Sequence, residues 1–299
     1  MSEYSTDSPV LIGEIATGVY NQKSALETRP DMILRDVGGV MRNTYEVLLR
    51  HNPTKRPYLI GVVGNDEDGD RIMEYHEQFG DSLPGVRRVF DKTCRICGLY
   101  SKEGICEKEY RLQGSLKGVE AVDIRNNQER IKNSFLVGVD TSITAGAMTS
   151  LVDILSQTSN PLLIDPSHST HYTSLIQSGL LARADYLLPS VSELWSLACQ
   201  LQPSLEPSRR KWKELITSNP SLPFHEAIMD LRVPLKRVMQ EMKGEKDHFI
   251  LLKMGKMGMA MVCQNACEKE LDVIYFSLDK TFVPTFESQI AYGEIVIAL

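Results

Sequence analysis

Short apolar runs alternate along this chain with stretches whose apolar residues recur at helical spacing. Strand candidates are residues 9–13, 58–63, 134–140, 161–165, 185–189 and 248–253. Amphipathic segments cover 39–51, 68–79, 121–132, 146–157, 171–182 and 192–201. Strands this apolar on both faces suit a parallel sheet covered by helices. The alternation predicts a doubly wound α/β domain in which the mostly parallel sheet is flanked by helices.

Two regions break the rhythm. Residues 17–36 and 91–112 are more polar, and the second reads as a β-hairpin turning around Lys102, Glu103 and Gly104. Together they predict a small satellite sheet over the main one. Residues 202–247 read as a charged, mostly helical insertion. Its cluster Arg209, Arg210 and Lys211 is most simply a solvated helix face. There is no internal repeat and no low-complexity tract.

Composition narrows the classes. The chain has 299 residues, 42% hydrophobic and 24% charged, as expected of an ordinary globular protein. A formal net charge of −6 argues against bulk binding to nucleic acid or to an anionic membrane. No apolar run approaches membrane-spanning length, and the first residues lack a secretory pattern, so the expectation is a cytoplasmic protein. Its six cysteines are then expected to be reduced. Cys94 and Cys97 have the spacing of a metal or redox pair, but they fall in a strand, which would point them to opposite faces. His168 and His171 sit in a polar loop, where two solvated histidines are the simpler reading.

The candidate chemistry lies at strand ends. Gly38 and Gly39 stand where an amphipathic helix begins, and backbone N–H groups at a helix start have no internal partner. Without side chains above them, a ligand's hydroxyls or phosphate can approach closely. Asn43, in the first turn, offers a donor and an acceptor. Val40, Val47 and Leu48 would supply the buried stripe. A tight loop needing glycine only for its geometry explains the same residues equally well. Past the strand at 58–63, Gly61, Gly64, Asp66 and Gly69 place glycine and acid where ligands of open α/β sheets bind, which favours the ligand reading.

Taken together, the runs at 38–43 and 59–69 resemble the first motif of the PfkB, or ribokinase-like, family of sugar and nucleoside kinases. The form Gly-Gly-Val-x-Arg-Asn is most similar to pseudouridine kinases. Weaker matches at 136–144, 162–170, 185–194 and 251–259 follow in the family's order, so the resemblance runs over about residues 9 to 270. It implies one ribokinase-like domain over 1–299, with the polar segments 17–36 and 91–112 as a β lid. It also implies ATP and magnesium and a nucleoside or sugar acceptor; the edge of such a lid would in addition let two copies pair. Gly38, Gly39 and Asn43 then match positions that hold the sugar's hydroxyls. The family also has an aspartate after the first strand, where this chain has Thr17 or Gly18, with Glu14 one turn too early. An Asn-x-x-Glu element that organises magnesium and phosphate corresponds to Ser190 and Glu193. Ser-x-x-Glu is equally a capping box, so both readings stay open. Gly255 and Gly258 match a turn beside the nucleotide, or form a plain hairpin turn. Lys253, just before it, reaches toward a phosphate or is solvated.

The family's catalytic Gly-Ala-Gly-Asp is absent from the 299 residues. The nearest run is Ala291, Tyr292, Gly293 and Glu294, with only five residues after it. The expectation is a C-terminally incomplete domain with impaired activity, Glu294 being a weak candidate for the missing acid. Loss of the helices that would follow is expected to bare apolar surface. A non-catalytic member that keeps a ligand or a partner is the alternative. A dinucleotide-binding oxidoreductase is the least favoured reading, since Gly13 and Gly18 do not form Gly-x-Gly-x-x-Gly.

Overall fold

The structure is a computed structural model that describes residues 8–22, 34–52, 55–100, 106–112, 118–167, 169–218, 224–243, 247–255, 258–264 and 271–276. Two compact units emerge, one within residues 1–160 and the other within 161–282.

Unit one holds β1 (Val10–Ile12), β2 (Ala16–Gln22), β3 (Leu34–Gly38), α1 (Val40–His51), β4 (Tyr58–Gly64), α2 (Glu67–Glu77), β5 (Val86–Val89), β6 (Cys94–Tyr100), β7 (Cys106–Leu112), α3 (Ala121–Asn126), α4 (Gln128–Lys132), β8 (Val137–Asp140) and α5 (Ala145–Leu155). Strands β8, β1, β4 and β5 lie side by side and parallel, with Val10 opposite both Tyr58 and Val137. Every residue of β1, β4 and β8 is buried, which is why their sequences run apolar without alternation. A separate four-stranded sheet in the order β3, β2, β6, β7 matches the satellite sheet expected from the polar segments. Its β6 and β7 pair antiparallel as the predicted hairpin, and the tip at 102–104 lies outside the described residues. Cys94 and Cys97 alternate along β6, and Cys94 packs with Ala16 and Ile96.

Unit two holds β9 (Leu162–Asp165), α6 (Tyr172–Gln177), α7 (Leu180–Arg183), β10 (Tyr186–Leu187), α8 (Val191–Leu201), α9 (Glu206–Ser218), α10 (Phe224–Asp230), α11 (Arg232–Met239), β11 (His248–Lys253), β12 (Met259–Gln264) and β13 (Leu271–Phe276). Strands β9, β10 and β11 are parallel; β12 pairs antiparallel with β11, and β13 antiparallel with β12. The insertion expected over 202–247 is α9 to α11. Among the described residues no helix is long and apolar enough to cross a membrane.

Three expectations need correction. The segment 121–132 is two helices, because the backbone leaves helical geometry at Asn127. The segment 171–182 is likewise two, broken at Gly179, whose φ of 80° no continuous helix admits. The buried face of α1 is Met41, Thr44, Tyr45 and Leu49 together with Arg42, while Val40, Val47 and Leu48 are half-buried. Apolarity alone misplaced that stripe, because a fully hydrogen-bonded arginine is buried in it.

Candidate functional site

In unit one the candidate residues surround the start of α1. Gly39 is its N-cap, with φ 115° and no side-chain cap, and Asn43 N donates to Gly39 O at 2.8 Å to close the first turn. A Cβ at Gly39 would lie 2.0 Å from the carbonyl oxygen of Glu14, so the room left by this glycine is filled by the chain itself. Gly38 pairs with Ala16 across β3 and β2.

Arg42, 3% exposed, organises the next layer. Its Nη1 donates to Val37 O at 2.7 Å and to Asn43 Oδ1 at 2.9 Å, and its Nε donates to His76 Nε2 at 3.2 Å. Its Nη2 pairs with Glu46, which also accepts from the Tyr75 hydroxyl at 2.8 Å. The Tyr75 ring lies 5.0 Å from the guanidinium carbon, within cation–π range. Burial pushes the Glu46 carboxyl up, but Arg42, Tyr75 and Arg50 more than offset this and hold it below its usual range. Burial, reinforced by Arg42, pushes His76 down to about 4, so its ring is the neutral acceptor that Arg42 Nε requires. With Oδ1 taken by Arg42, the amide of Asn43 is oriented, and its other end is a donor. This network was missed in the sequence; the signal was an arginine and a glutamate at i, i+4 on the inner side of a helix.

Thr17, where the resemblance looks for a carboxylate, is 2% exposed, and its Oγ1 has no hydrogen-bond partner among the described residues. The backbone N–H of Glu14 donates to Asp140 Oδ2 at 3.2 Å. A Cβ at Gly13 would strike that same carboxylate.

The glycine and acid turn after β4 is packing rather than a ligand cradle. Asp66 caps α2, accepting from Gly69 N at 2.9 Å, Thr93 N at 2.9 Å and Thr93 Oγ1 at 2.6 Å. Side chains at Gly61, Gly64 and Gly69 would collide with Ile15, Asp91 O and Gly64 O.

In unit two, four strand and helix ends meet. Ser190 and Glu193 form the capping box of α8: Ser190 N donates to Glu193 Oε2 at 2.6 Å and Glu193 N donates to Ser190 Oγ at 3.3 Å. Ser190 bridges Lys253 in parallel, and Lys253 N donates to Pro189 O at 2.8 Å. Lys253 is not a solvated lysine. Its Nζ donates to Asp165 Oδ2 at 2.8 Å, with the lysine side chain 17% and the aspartate 1% exposed. Burial raises the Glu193 carboxyl; Lys253 pulls it back and Asp165 pushes it further up, and the net direction is upward. The chain then turns: Gly258 N donates to Gly255 O at 3.0 Å and Met254 N to Gly258 O at 2.9 Å. Gly255 and Gly258 have φ of 56° and 96°, as this hairpin turn between β11 and β12 demands. Asp165 was not singled out in the sequence, although an acid ending a buried strand just before a proline is a readable signal.

These donors do not fit a directly bound magnesium. One Asp165 oxygen holds an ammonium and one Glu193 oxygen holds a backbone N–H. Among the described residues no group of three or more His, Cys, Asp or Glu could hold a metal ion. His171 lies in a short 3-10 turn; His168 and the run Ala291 to Glu294 lie outside the described residues.

No family model and no curated protein matches the chain. Solved structures do. A ribokinase from Giardia lamblia aligns with TM-score 0.70 and 13% identity over 98% of this chain and 82% of its own. Adenosine kinase from Anopheles gambiae, in complex with P1,P4-di(adenosine-5) tetraphosphate, gives TM-score 0.70 and 14% identity over 98% and 89%. A ribokinase from Arabidopsis thaliana, complexed with ribose and ATP, gives 0.61 and 17% over 91% and 78%. At such identities the likeness is one of fold: an α/β, ribokinase-like fold with a mostly parallel sheet flanked by helices.

Proposed function

We propose that this chain is a phosphotransferase that moves the terminal phosphoryl group of ATP to the primary hydroxyl of a nucleoside or sugar, with pseudouridine the first substrate to try. The observation that carries the reading is the fold likeness, over 98% of the chain, to a ribokinase and an adenosine kinase. The run from Gly38 to Asn43 supports a nucleoside acceptor through its similarity to pseudouridine kinases. In this reading Gly38, Gly39 and Asn43 hold the acceptor's hydroxyls, with Arg42 orienting the Asn43 amide as a donor. Ser190, Glu193, Lys253, Gly255 and Gly258 adjoin the nucleotide. Glu193 acts on magnesium only indirectly, since its carboxylate is engaged in the cap. Glu294 is the candidate that takes the proton from the hydroxyl. Glutamate in place of aspartate, and Tyr292 where a bare backbone is wanted, make turnover slow. The protein acts in the cytoplasm, and two copies pair through β3 or β7, the outer strands of the four-stranded sheet.

The ion pair between Lys253 and Asp165 also favours a second reading, a non-catalytic member that binds ligand without transferring phosphate. A coupled ADP-release assay with pseudouridine, adenosine and ribose, run beside thermal melts with each ligand, separates the two. The kinase reading expects slow ADP release with one acceptor, and Asn43→Ala weakening that acceptor by roughly ten-fold, the worth of one good hydrogen bond. Ligand-induced stabilisation without turnover supports the second reading. Folded protein showing neither effect sinks both.

A further inference from the structure

Three elements of unit two bring two acids and one base together, Asp165 buried and Glu193 and Lys253 half-buried. Asp165 ends β9, Glu193 lies in the first turn of α8 and Lys253 ends β11. The two oxygens of Asp165 differ: Oδ2 accepts from Lys253 Nζ at 2.8 Å, while Oδ1 is buried and has no partner among the described residues. Glu193 is close enough to feel both charges. A buried carboxylate such as Asp165, with a second acid near enough to repel it, ordinarily needs a cation beside it.

We infer that Lys253 is a resident cation, its ammonium standing where a divalent metal ion would otherwise bridge Asp165 and Glu193. The two cannot coexist. A hard divalent ion at about 2.0–2.1 Å from either oxygen of Asp165 would set a double positive charge against the ammonium already held at Oδ2. Lysine carries a compact single charge on a long stem, so it satisfies the acid without recruiting an ion from solution. Among the described residues of unit two this place therefore holds no free metal, and it acquires that capacity when the ammonium is removed, because Asp165 then offers both oxygens beside Glu193. The readout is metal binding alone, so failure of the kinase reading leaves this inference standing, and the converse.

The test is Mn2+ binding to the full chain, followed by the electron paramagnetic resonance of the free ion, with Mn2+ in place of magnesium because both accept oxygen ligands. Wild type is expected to bind no Mn2+. Lys253→Met is expected to bind one, with a dissociation constant on the order of 0.1–1 mM as for weak oxygen sites, and to melt higher when Mn2+ is added. Adding Asp165→Asn to Lys253→Met is expected to abolish both effects. Folded Lys253→Met that takes up no Mn2+, or uptake that survives in the double variant, overturns the inference. Where Lys253→Met fails to fold without metal, the wild type decides: Mn2+ bound by wild type and lost in Asp165→Asn overturns it, and its absence from wild type together with Mn2+-dependent refolding of Lys253→Met upholds it.

Discussion

A methyl group added at Gly39 would sit 2.0 Å from the carbonyl oxygen of Glu14, whereas one added at Gly255 would meet nothing within 4 Å. Both residues have positive φ, 115° and 56°. Gly39→Ala therefore combines backbone strain with a clash against backbone that has no rotamer to yield, and should cost at least about 3 kcal/mol. Gly255→Ala carries only the left-handed penalty, about 1–2 kcal/mol. Urea unfolding of the two variants measures the difference; equal losses would mean that Glu14 moves aside freely. The sequence marked both positions as glycines at element ends, because helix starts and turns are local. It did not reveal that the space at Gly39 belongs to Glu14, since that contact joins residues far apart in the chain. Lys253 was hidden for the same reason: its partner, Asp165, lies 88 positions away.

At the scale of elements, legibility followed how local the cause is. The capping box of α8 was readable from Ser-x-x-Glu, because both hydrogen bonds close within three residues. Ser190→Ala should lower stability by about 1 kcal/mol, measured by thermal or urea unfolding, while Ser190→Asp, which keeps an acceptor, should cost far less. Strands β1, β4, β8, β9, β10 and β11 were legible from continuous apolarity, although β10 stops at Leu187, two residues short of the expectation, as Pro189 cannot donate to a ladder; β5, β12 and β13 were not. The break at Gly179 was readable in principle, because a glycine inside a helical pattern is a warning. The buried face of α1 was not, since no periodicity rule anticipates an arginine satisfied by Val37 O, Asn43, Glu46 and His76.

For the molecule as a whole, the buried His76 sets a dependence on pH. It is fully buried and its folded-state ring protonates only at about 4, against about 6.5 when unfolded. Between those values the unfolded chain binds the extra proton, so stability falls as pH drops through that window and is complete above it. The loss should be on the order of 3 kcal/mol, seen as a falling urea midpoint from pH 7 to pH 4.5, and His76→Gln, which keeps an acceptor for Arg42 but does not titrate, should flatten it. Circular dichroism is the suitable probe, because both tryptophans, Trp195 and Trp212, belong to unit two. One arrangement in unit one reaches beyond the bench. The carboxylate of Asp140 occupies the volume that any side chain at residue 13 would need. Across lineages descended from this gene, an acid at 140 and a side chain at 13 should therefore exclude one another, and the two sites should change hands together or not at all.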